Sequence, residues 1–168
     1  GINMEAENNL RLKFGIISNY IDQLESMPSI TIVNGPYGDF VNNTTDKFMY
    51  FSWYPISMHD MIINKNIPDE WVSICRGDIK DDLFKYQIEK QLQKFQQLFE
   101  KQFQFQSPKL IAGVIVANGT EDINYSNSGL HQRSADPIAY EGNYYTVSTG
   151  KFTSAPYNTL LLEQKNML

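Results

Sequence analysis

The sequence predicts an α+β fold in which a mixed, mostly antiparallel β-sheet is packed by one long amphipathic helix. Strand-like segments follow one another at short spacing in the first third of the chain, which is typical of antiparallel strands joined by turns. A helical repeat of apolar residues then occupies the middle. The 10 Tyr, 10 Phe and 2 Trp among 168 residues support a sheet, because aromatic side chains favour strands and the walls of ligand sites.

Side-chain alternation predicts two strands before residue 34. Between residues 10 and 16, apolar side chains alternate with Arg11, Lys13 and Gly15, so this strand is predicted to bury one face. The β-branched run at 30–33 predicts a second strand, which ends at the turn residues Asn-Gly-Pro.

A hairpin and a later apolar segment predict the rest of the sheet. The hairpin has arms at 39–41 and 47–53, and its turn is the polar segment 42–46. Residues 109–118 are apolar on both sides of the predicted strand, which favours a central position in the sheet.

The middle of the chain predicts helices. Pro68 with two acids after it is typical of a helix start. From Asp78, apolar residues three or four apart predict an amphipathic helix of about 25 residues that ends before Pro108. Its apolar stripe is predicted to pack on the sheet, with an exposed docking face as the alternative. The stripe consists of Leu83, Phe84, Ile88, Leu92, Phe95, Leu98, Phe99 and Phe103.

The last third predicts a long loop, one strand and one helix. Residues 119–143 are polar and predict an irregular loop, and long loops in compact domains usually serve a function or a neighbouring unit. Residues 144–149 predict a final strand and residues 155–168 a final helix.

Charge and composition exclude several classes of partner. A net charge of -5 argues against nucleic acid, which requires a basic surface. No apolar run approaches the length of about 18 residues that spans a membrane, and the first residues do not resemble a signal peptide. The single cysteine, Cys75, is predicted to be a buried small hydrophobe and fits a reducing compartment, so a cytoplasmic location is expected.

The segment STGKFTSAP, residues 148–156, raises the question of phosphate binding. A Walker A loop requires a glycine five residues before the Gly-Lys pair and Ser or Thr directly after it. Here these positions are Tyr145 and Phe152, so this class of loop is excluded. What remains is a capped helix N-terminus, whose free N–H groups favour a negative ligand atom. A capped helix with no ligand is the alternative.

No metal or dinucleotide site is predicted from local motifs. The histidines, His59 and His131, lack a second ligand at a metal-site spacing. Neither the Gly-x-Ser-x-Gly elbow nor the Gly-x-Gly-x-x-Gly fingerprint occurs. A hydrolase that uses His131 stays open as a third interpretation.

Four segments occur in the same order as in one group of enzymes. They are TIVNGPYGDFV (31–41), MYFSWYPIS (49–57), GTEDINYSNSGLHQR (119–133) and GNYYTVSTGKFTSAP (142–156). Together they resemble the C-terminal half of FAD-dependent oxidoreductases of the D-amino-acid-oxidase superfamily. In that family a substrate-binding domain, a mixed sheet backed by helices, covers the flavin, and the chain returns to the FAD domain through a strand and a last helix.

The resemblance implies a cofactor contact and a reaction. The loop and helix N-terminus of the returning segment would lie beside the flavin, where the helix dipole would stabilise the reduced, anionic ring. The reaction would be hydride transfer to flavin N5 from a small amino acid, amine or 2-hydroxy acid, and no catalytic residue of this chain is assigned. The flavin-adjacent residues would be Gly150, Lys151, Phe152 and Thr153.

The resemblance also implies a substrate wall. Its candidates are Tyr37, Tyr50 and Tyr54, with Arg133 or Arg11 as a clamp for a carboxylate, since a guanidinium binds a carboxylate in a bidentate way. The alternatives are sheet packing for the tyrosines and solvent exposure for Arg11.

The chain departs from the family because the Gly-rich βαβ unit that holds the ADP part of FAD is missing. It is therefore expected to be part of a longer or split parent that contains FAD, and to bind no FAD and be inactive alone. The implied domains are a disordered or tag-derived lead (1–9), a substrate-binding or cap domain (10–143) and a returning strand and helix (144–168).

The expected partners are a small-molecule substrate, the missing FAD-binding half and a second copy in a homodimer, because an apolar face left without its other half tends to self-associate. A non-catalytic ligand-binding or oligomerisation domain of the same fold is the alternative function.

Overall fold

A computed structural model describes residues 8–33, 37–117, 121, 138–141, 144–147 and 155–164 of the chain. The chain divides into two compact units. The first unit is Asn8–Ala117, and the elements described after Ala117 belong to the second unit.

The first unit is built on a six-stranded sheet whose pairings are all antiparallel, which confirms the predicted α+β class and the mostly antiparallel sheet. Along one edge, β1 pairs with β6, and along the other edge it pairs first with β5 and then with β4. β3 and β2 extend the sheet beyond β4. These strands are β1 (Asn8–Asn19), β2 (Ile30–Ile32), β3 (Gly38–Asn43), β4 (Phe48–Trp53), β5 (Met58–Asn64) and β6 (Gln106–Ala117).

The central strand is β1, and the prediction of a central position for residues 109–118 is wrong within the described residues. There β6 has β1 as its one strand neighbour, whereas β1 has neighbours on both edges. Arg11 is accordingly 1% exposed, although the alternation in β1 predicts a single buried face. Ile111 and Ile115 in β6 keep 43% and 41% of their surface exposed. β6 is therefore apolar on both faces although one of these faces stays exposed, and its composition does not indicate a buried central strand.

Three α-helices are described in the first unit: α1 (Tyr54–Ser57), α2 (Asp69–Cys75) and α3 (Asp81–Phe99). As predicted, α2 begins directly after Pro68. α3 is shorter than predicted, because Glu100 takes a left-handed backbone conformation with φ 53° and ends the helix. Phe103 therefore lies outside the helix, although it is buried.

Cys75 at the end of α2 is exposed, so the prediction of a buried cysteine is wrong. The side of α2 that faces the core is occupied by Trp71 and Ile74. Cys75 directly follows Ile74, and neighbouring helical residues point in different directions.

Aromatic side chains of the sheet and α3 form the core between them. The ring centroid of Phe51 lies 5.1 Å from that of Phe95 in α3, 5.1 Å from that of Phe40 and 4.8 Å from that of Phe105. Tilted and edge-on ring pairs of this kind contribute about 0.5–1.5 kcal/mol each beyond their burial. The phenylalanine stripe of α3 packs on the sheet as predicted, whereas Leu98 is exposed.

The described part of the second unit contains a hairpin and a helix. β7 (Ile138–Glu141) pairs antiparallel with β8 (Tyr144–Val147), and α4 spans Ala155–Gln164. The final strand and final helix are thereby confirmed, but β7 lies inside the segment predicted as an irregular loop. No helix in the described ranges is both long and apolar enough to cross a membrane.

Candidate functional site

Three residues predicted to bind substrate meet in one cluster of the first unit. Arg11 is buried in β1 and donates hydrogen bonds from Nη1 to the Tyr54 hydroxyl (3.2 Å) and from Nε to Asn9 Oδ1 (3.3 Å). The ring of Tyr37 stands edge-on to the ring of Tyr54, with 6.5 Å between the centroids. The Tyr54 backbone N–H donates to the Tyr37 carbonyl at 2.8 Å. Arg11 thus binds the phenol of Tyr54 and does not point to solvent.

A break in the sheet places Tyr54 in this cluster. α1 interrupts the long strand that β4 and β5 would otherwise form beside β1, and two buried glutamines of α3 pair with the backbone at the break. The Trp53 N–H donates to Gln91 Oε1 (3.1 Å), and Gln87 Nε2 donates to the Ile56 carbonyl (2.9 Å). Gln91 Nε2 donates to Gln87 Oε1 (3.0 Å). These bonds hold the segment that carries Tyr54 against α3.

Tyr50, the third predicted tyrosine, covers a glycine of β1. A Cβ atom at Gly15 would lie only 2.8 Å from the Tyr50 hydroxyl oxygen, so the ring reaches across the strand because Gly15 has no side chain. Burial raises the pKa of Tyr50, the hydrogen bond with Ser52 opposes this effect, and the negative charge of Asp39 adds to it.

Lys13 lies between Arg11 and Gly15 in the alternation of β1. Its side chain is partly buried, and its Nζ lies 5.7 Å from the centroid of the Tyr54 ring. Burial lowers the pKa of Lys13, and the negative charge of Asp39 partly opposes this. No carboxylate among the described residues lies within ion-pair distance of its ammonium.

A groove of about 360 Å³ opens beside Lys13 on the surface of β1 and β6. In the sheet register, Lys13 is paired with Gly113 and Gly15 with Ile111. A Cβ atom placed on Gly113 meets no heavy atom of the described residues within 4 Å, so this part of the chain leaves the space above Gly113 open. We call this feature the glycine groove, and define it by Lys13, Gly15, Tyr50, Ile111, Gly113 and Ile115.

A second cavity, of about 530 Å³, lies among β5, α2 and α3. Its wall includes His59, whose ring packs edge-on against Phe14 in the core at 5.4 Å between centroids. Within the described ranges, no three His, Cys, Asp or Glu side chains come together in a way that could hold a metal ion. None of the predicted substrate residues that the structure describes, Arg11, Tyr37, Tyr50 and Tyr54, lines this cavity.

Several residues of the site escape sequence reasoning. Lys13 shares the alternation of Arg11 and could have been found from it. Gln87 and Gln91 look like polar surface residues of an amphipathic helix, and their burial depends on the break at α1. Gly113 carries no local signal, because its role depends on the register with Lys13.

The remaining predicted site residues lie outside the described residues. They are Arg133, the alternative carboxylate clamp, His131, and the flavin-adjacent residues Gly150, Lys151, Phe152 and Thr153.

No family model matches the chain, and neither a curated protein nor a solved structure matches it. The resemblance to the D-amino-acid-oxidase superfamily therefore stays a prediction. A function has to be inferred from the residues of the glycine groove and of the cluster around Arg11.

Proposed function

We propose that the unit Asn8–Ala117 binds a small organic acid, with its carboxylate at Lys13 and its apolar part in the glycine groove. One observation carries this proposal. The Lys13 ammonium is partly buried at an open groove, and the described residues provide no carboxylate within ion-pair distance. Such an ammonium has lost part of its hydration, and among the described residues Asp39 acts on it only from beyond ion-pair distance.

An anion would compensate this loss. Two opposite unit charges about 4 Å apart attract each other by about 4 kcal/mol at an effective dielectric constant of about 20. The net gain is smaller, because the carboxylate also loses water, and hydrogen bonds to charged groups contribute about 1.5–3 kcal/mol. Arg11 is already bonded to Asn9 and Tyr54, so we assign it to orienting the cluster and not to the ligand.

The walls of the groove favour an organic acid over an inorganic anion. Ile111 and Ile115 stand on either side of Gly113 in β6 and are both partly exposed. Ligand sites are typically clefts of about 300–1,000 Å³ with mostly apolar walls and a few polar groups that fix orientation, and the groove meets this description.

The proposal is tested by calorimetric or NMR titration of the chain with butyrate, 2-hydroxybutyrate and 2-aminobutyrate, with neutral butyramide as the matched control ligand. We expect saturable binding of the three acids and little binding of butyramide. Lys13→Met should weaken binding of the acids by about tenfold or more, since it removes a charged hydrogen bond.

The control variant is Lys109→Met, which removes an exposed lysine from the same strand pair, β1 and β6. It should leave the affinity for the acids within about twofold of the wild-type value. Equal affinity of Lys13→Met and the wild type for the acids, or equal binding of butyrate and butyramide, would refute the proposal.

The flavin hypothesis is a narrower form of this proposal. In it, the acid is a 2-amino or 2-hydroxy acid, and the groove presents it to FAD held mainly by a separate FAD-binding domain. The support is the sequence resemblance, together with the clustering of the predicted substrate residues Tyr37, Tyr54 and Arg11. FAD would supply hydride acceptance, and this chain would bind and orient the acid.

The narrower form has its own test. The chain alone should not retain FAD through gel filtration, whereas a mixture with a Gly-rich βαβ domain from the same gene should give a yellow complex. A bound 2-amino or 2-hydroxy acid should bleach this complex without oxygen. A parent gene without a Gly-rich βαβ segment, or a mixture that stays colourless, would refute the flavin hypothesis without affecting acid binding.

Oligomerisation is a second candidate function, favoured by the edge of the sheet. β6 has one strand neighbour among the described residues, and its Val116 is 61% exposed. Long unpaired edges with apolar side chains are templates for pairing with another chain. Sedimentation velocity should show a dimer that Val116→Lys dissociates, and a wild-type chain that stays monomeric at all accessible concentrations would contradict this function.

A further inference from the structure

We propose that the acid bound by the glycine groove is an aromatic carboxylate whose ring lies on the bare backbone of Gly113. This inference rests on the proposed function and specifies its ligand class. It starts from the two glycines of the groove, which lie on neighbouring strands of the same sheet. One of them is covered by an aromatic ring of the protein, and the other is open.

The contact between Tyr50 and Gly15 shows that an aromatic ring can lie on the bare backbone of a glycine in this sheet. The outer end of the Tyr50 ring covers Gly15 so closely that a Cβ atom there would lie 2.9 Å from Tyr50 Cζ. Gly113 is displaced from Gly15 by one strand and two residues, since Gly15 pairs with Ile111 and Lys13 with Gly113. Gly113 likewise has no side chain, and within the described part of the chain no heavy atom lies within 4 Å of the position that a methyl group would occupy.

The walls define the width of this open position. Ile111 and Ile115 lie two residues before and after Gly113, so their side chains project from the same face of β6. Four residues of strand separate their Cα atoms by about 13 Å, which leaves room for one flat ring between the two side chains. Their exposed fractions of 43% and 41% mean that a ligand ring would cover apolar surface that now faces water.

The neighbours of the open position favour an aromatic ring over a saturated one. β1 separates β4, which carries Tyr50, from β6, but the outer end of the Tyr50 ring lies over Gly15, the diagonal neighbour of Gly113 across β1 and β6. A ring on Gly113 would therefore approach the end of the Tyr50 ring. Offset or edge-on pairs of aromatic rings are attractive beyond their burial. Lys13 is the cross-strand partner of Gly113, and its Nζ now lies 5.7 Å from the centroid of the Tyr54 ring. Rotation of its flexible side chain toward β6 would bring the ammonium to a carboxylate attached to a ring on Gly113.

The test compares three acids on the full chain: phenylacetate, cyclohexylacetate and butyrate. Phenylacetate should bind about threefold to tenfold more tightly than cyclohexylacetate, which has a ring of similar size without π electrons. Saturation with phenylacetate should also move the Gly113 Hα resonances upfield through the ring current, and cyclohexylacetate should not.

Substitutions at Gly113 provide a second test of the aromatic ligand. Gly113→Val should weaken phenylacetate by about tenfold or more, and Gly113→Ala should weaken it less. Butyrate, which has no ring to lie on Gly113, should weaken less than phenylacetate in both variants. Neither variant should lower the melting temperature, because the space above Gly113 is open and Val favours strands.

The outcomes separate this inference from the proposed function. If the acids bind through Lys13 but phenylacetate and cyclohexylacetate are equal and Gly113→Val changes neither, the aromatic inference is wrong and acid binding stands. If none of the three acids binds, both are wrong.

Discussion

Replacement of Gln91 by Met tests whether the two buried glutamines hold the break between β4 and β5. Gln91 is fully buried, accepts a hydrogen bond from the Trp53 N–H and donates one to Gln87 Oε1. Methionine is of similar size but cannot make either bond, so Gln91→Met leaves two buried polar groups without partners. Each such group costs about 1–3 kcal/mol, and the added apolar burial returns part of this. We expect the free energy of unfolding to fall by about 2–4 kcal/mol.

The assay is urea denaturation followed by intrinsic fluorescence, since Trp53 and Trp71 are both buried and report on the core. Hydrogen exchange of the Trp53 amide should also accelerate in Gln91→Met more than exchange of other β4 amides. The matched control is Gln93→Met, the same substitution at an exposed position of α3, which should change stability by less than about 0.5 kcal/mol.

A double variant tests the network as a unit. Gln87→Met leaves the Ile56 carbonyl and Gln91 Nε2 without partners, but the double variant orphans only the two backbone groups, because neither glutamine remains. Its loss of stability should therefore be clearly smaller than the sum of the two single losses. Strict additivity, or Gln91→Met and Gln93→Met variants of equal stability, would refute the reasoning.

Three further predictions concern the sheet and its loops. Asn42→Asp should lower the free energy of unfolding by about 2–3 kcal/mol. The reason is that Asn42 Nδ2 lies within hydrogen-bonding distance of three backbone carbonyls between residues 24 and 27, and a carboxylate cannot donate to them. Unchanged stability in urea denaturation would contradict this prediction. Gly15→Ala should lower stability by about 1–3 kcal/mol since its methyl group collides with Tyr50, whereas Gly113→Ala should not, and equal melting temperatures would show that the Tyr50 contact is absent. Burial lowers the pKa of Lys13, so between that pKa and the ordinary lysine pKa the unfolded chain binds more protons than the folded one. The stability of the wild type should therefore rise with pH relative to that of Lys13→Met. If the stability difference between the two proteins in urea denaturation does not change from neutral pH upward, this burial effect is excluded.

Local patterns were sufficient for most elements of the fold. Alternation located β1, the turn residues located the β3–β4 hairpin, and Pro68 located the start of α2, because each of these signals acts within a few residues. The prediction failed where a distant contact decides. The central position of β1 depends on which strands pair with it. The end of α3 is a local exception: it depends on the left-handed conformation of Glu100, a residue type that does not by itself indicate a helix end.

The residues of the candidate site could likewise be predicted only in part. The sequence by itself determined which residue types were available for a site: tyrosines in or beside predicted strands, and Arg11 and Lys13 on one side of β1. Only the tertiary structure decided which of them meet. The break at α1, held by Gln87 and Gln91, brings Tyr54 to Arg11, and the register of β1 with β6 puts Gly113 beside Lys13. The physical reason is that a buried hydrogen bond or an open space above a glycine belongs to two segments far apart in the chain, and neither segment alone carries a signal for it.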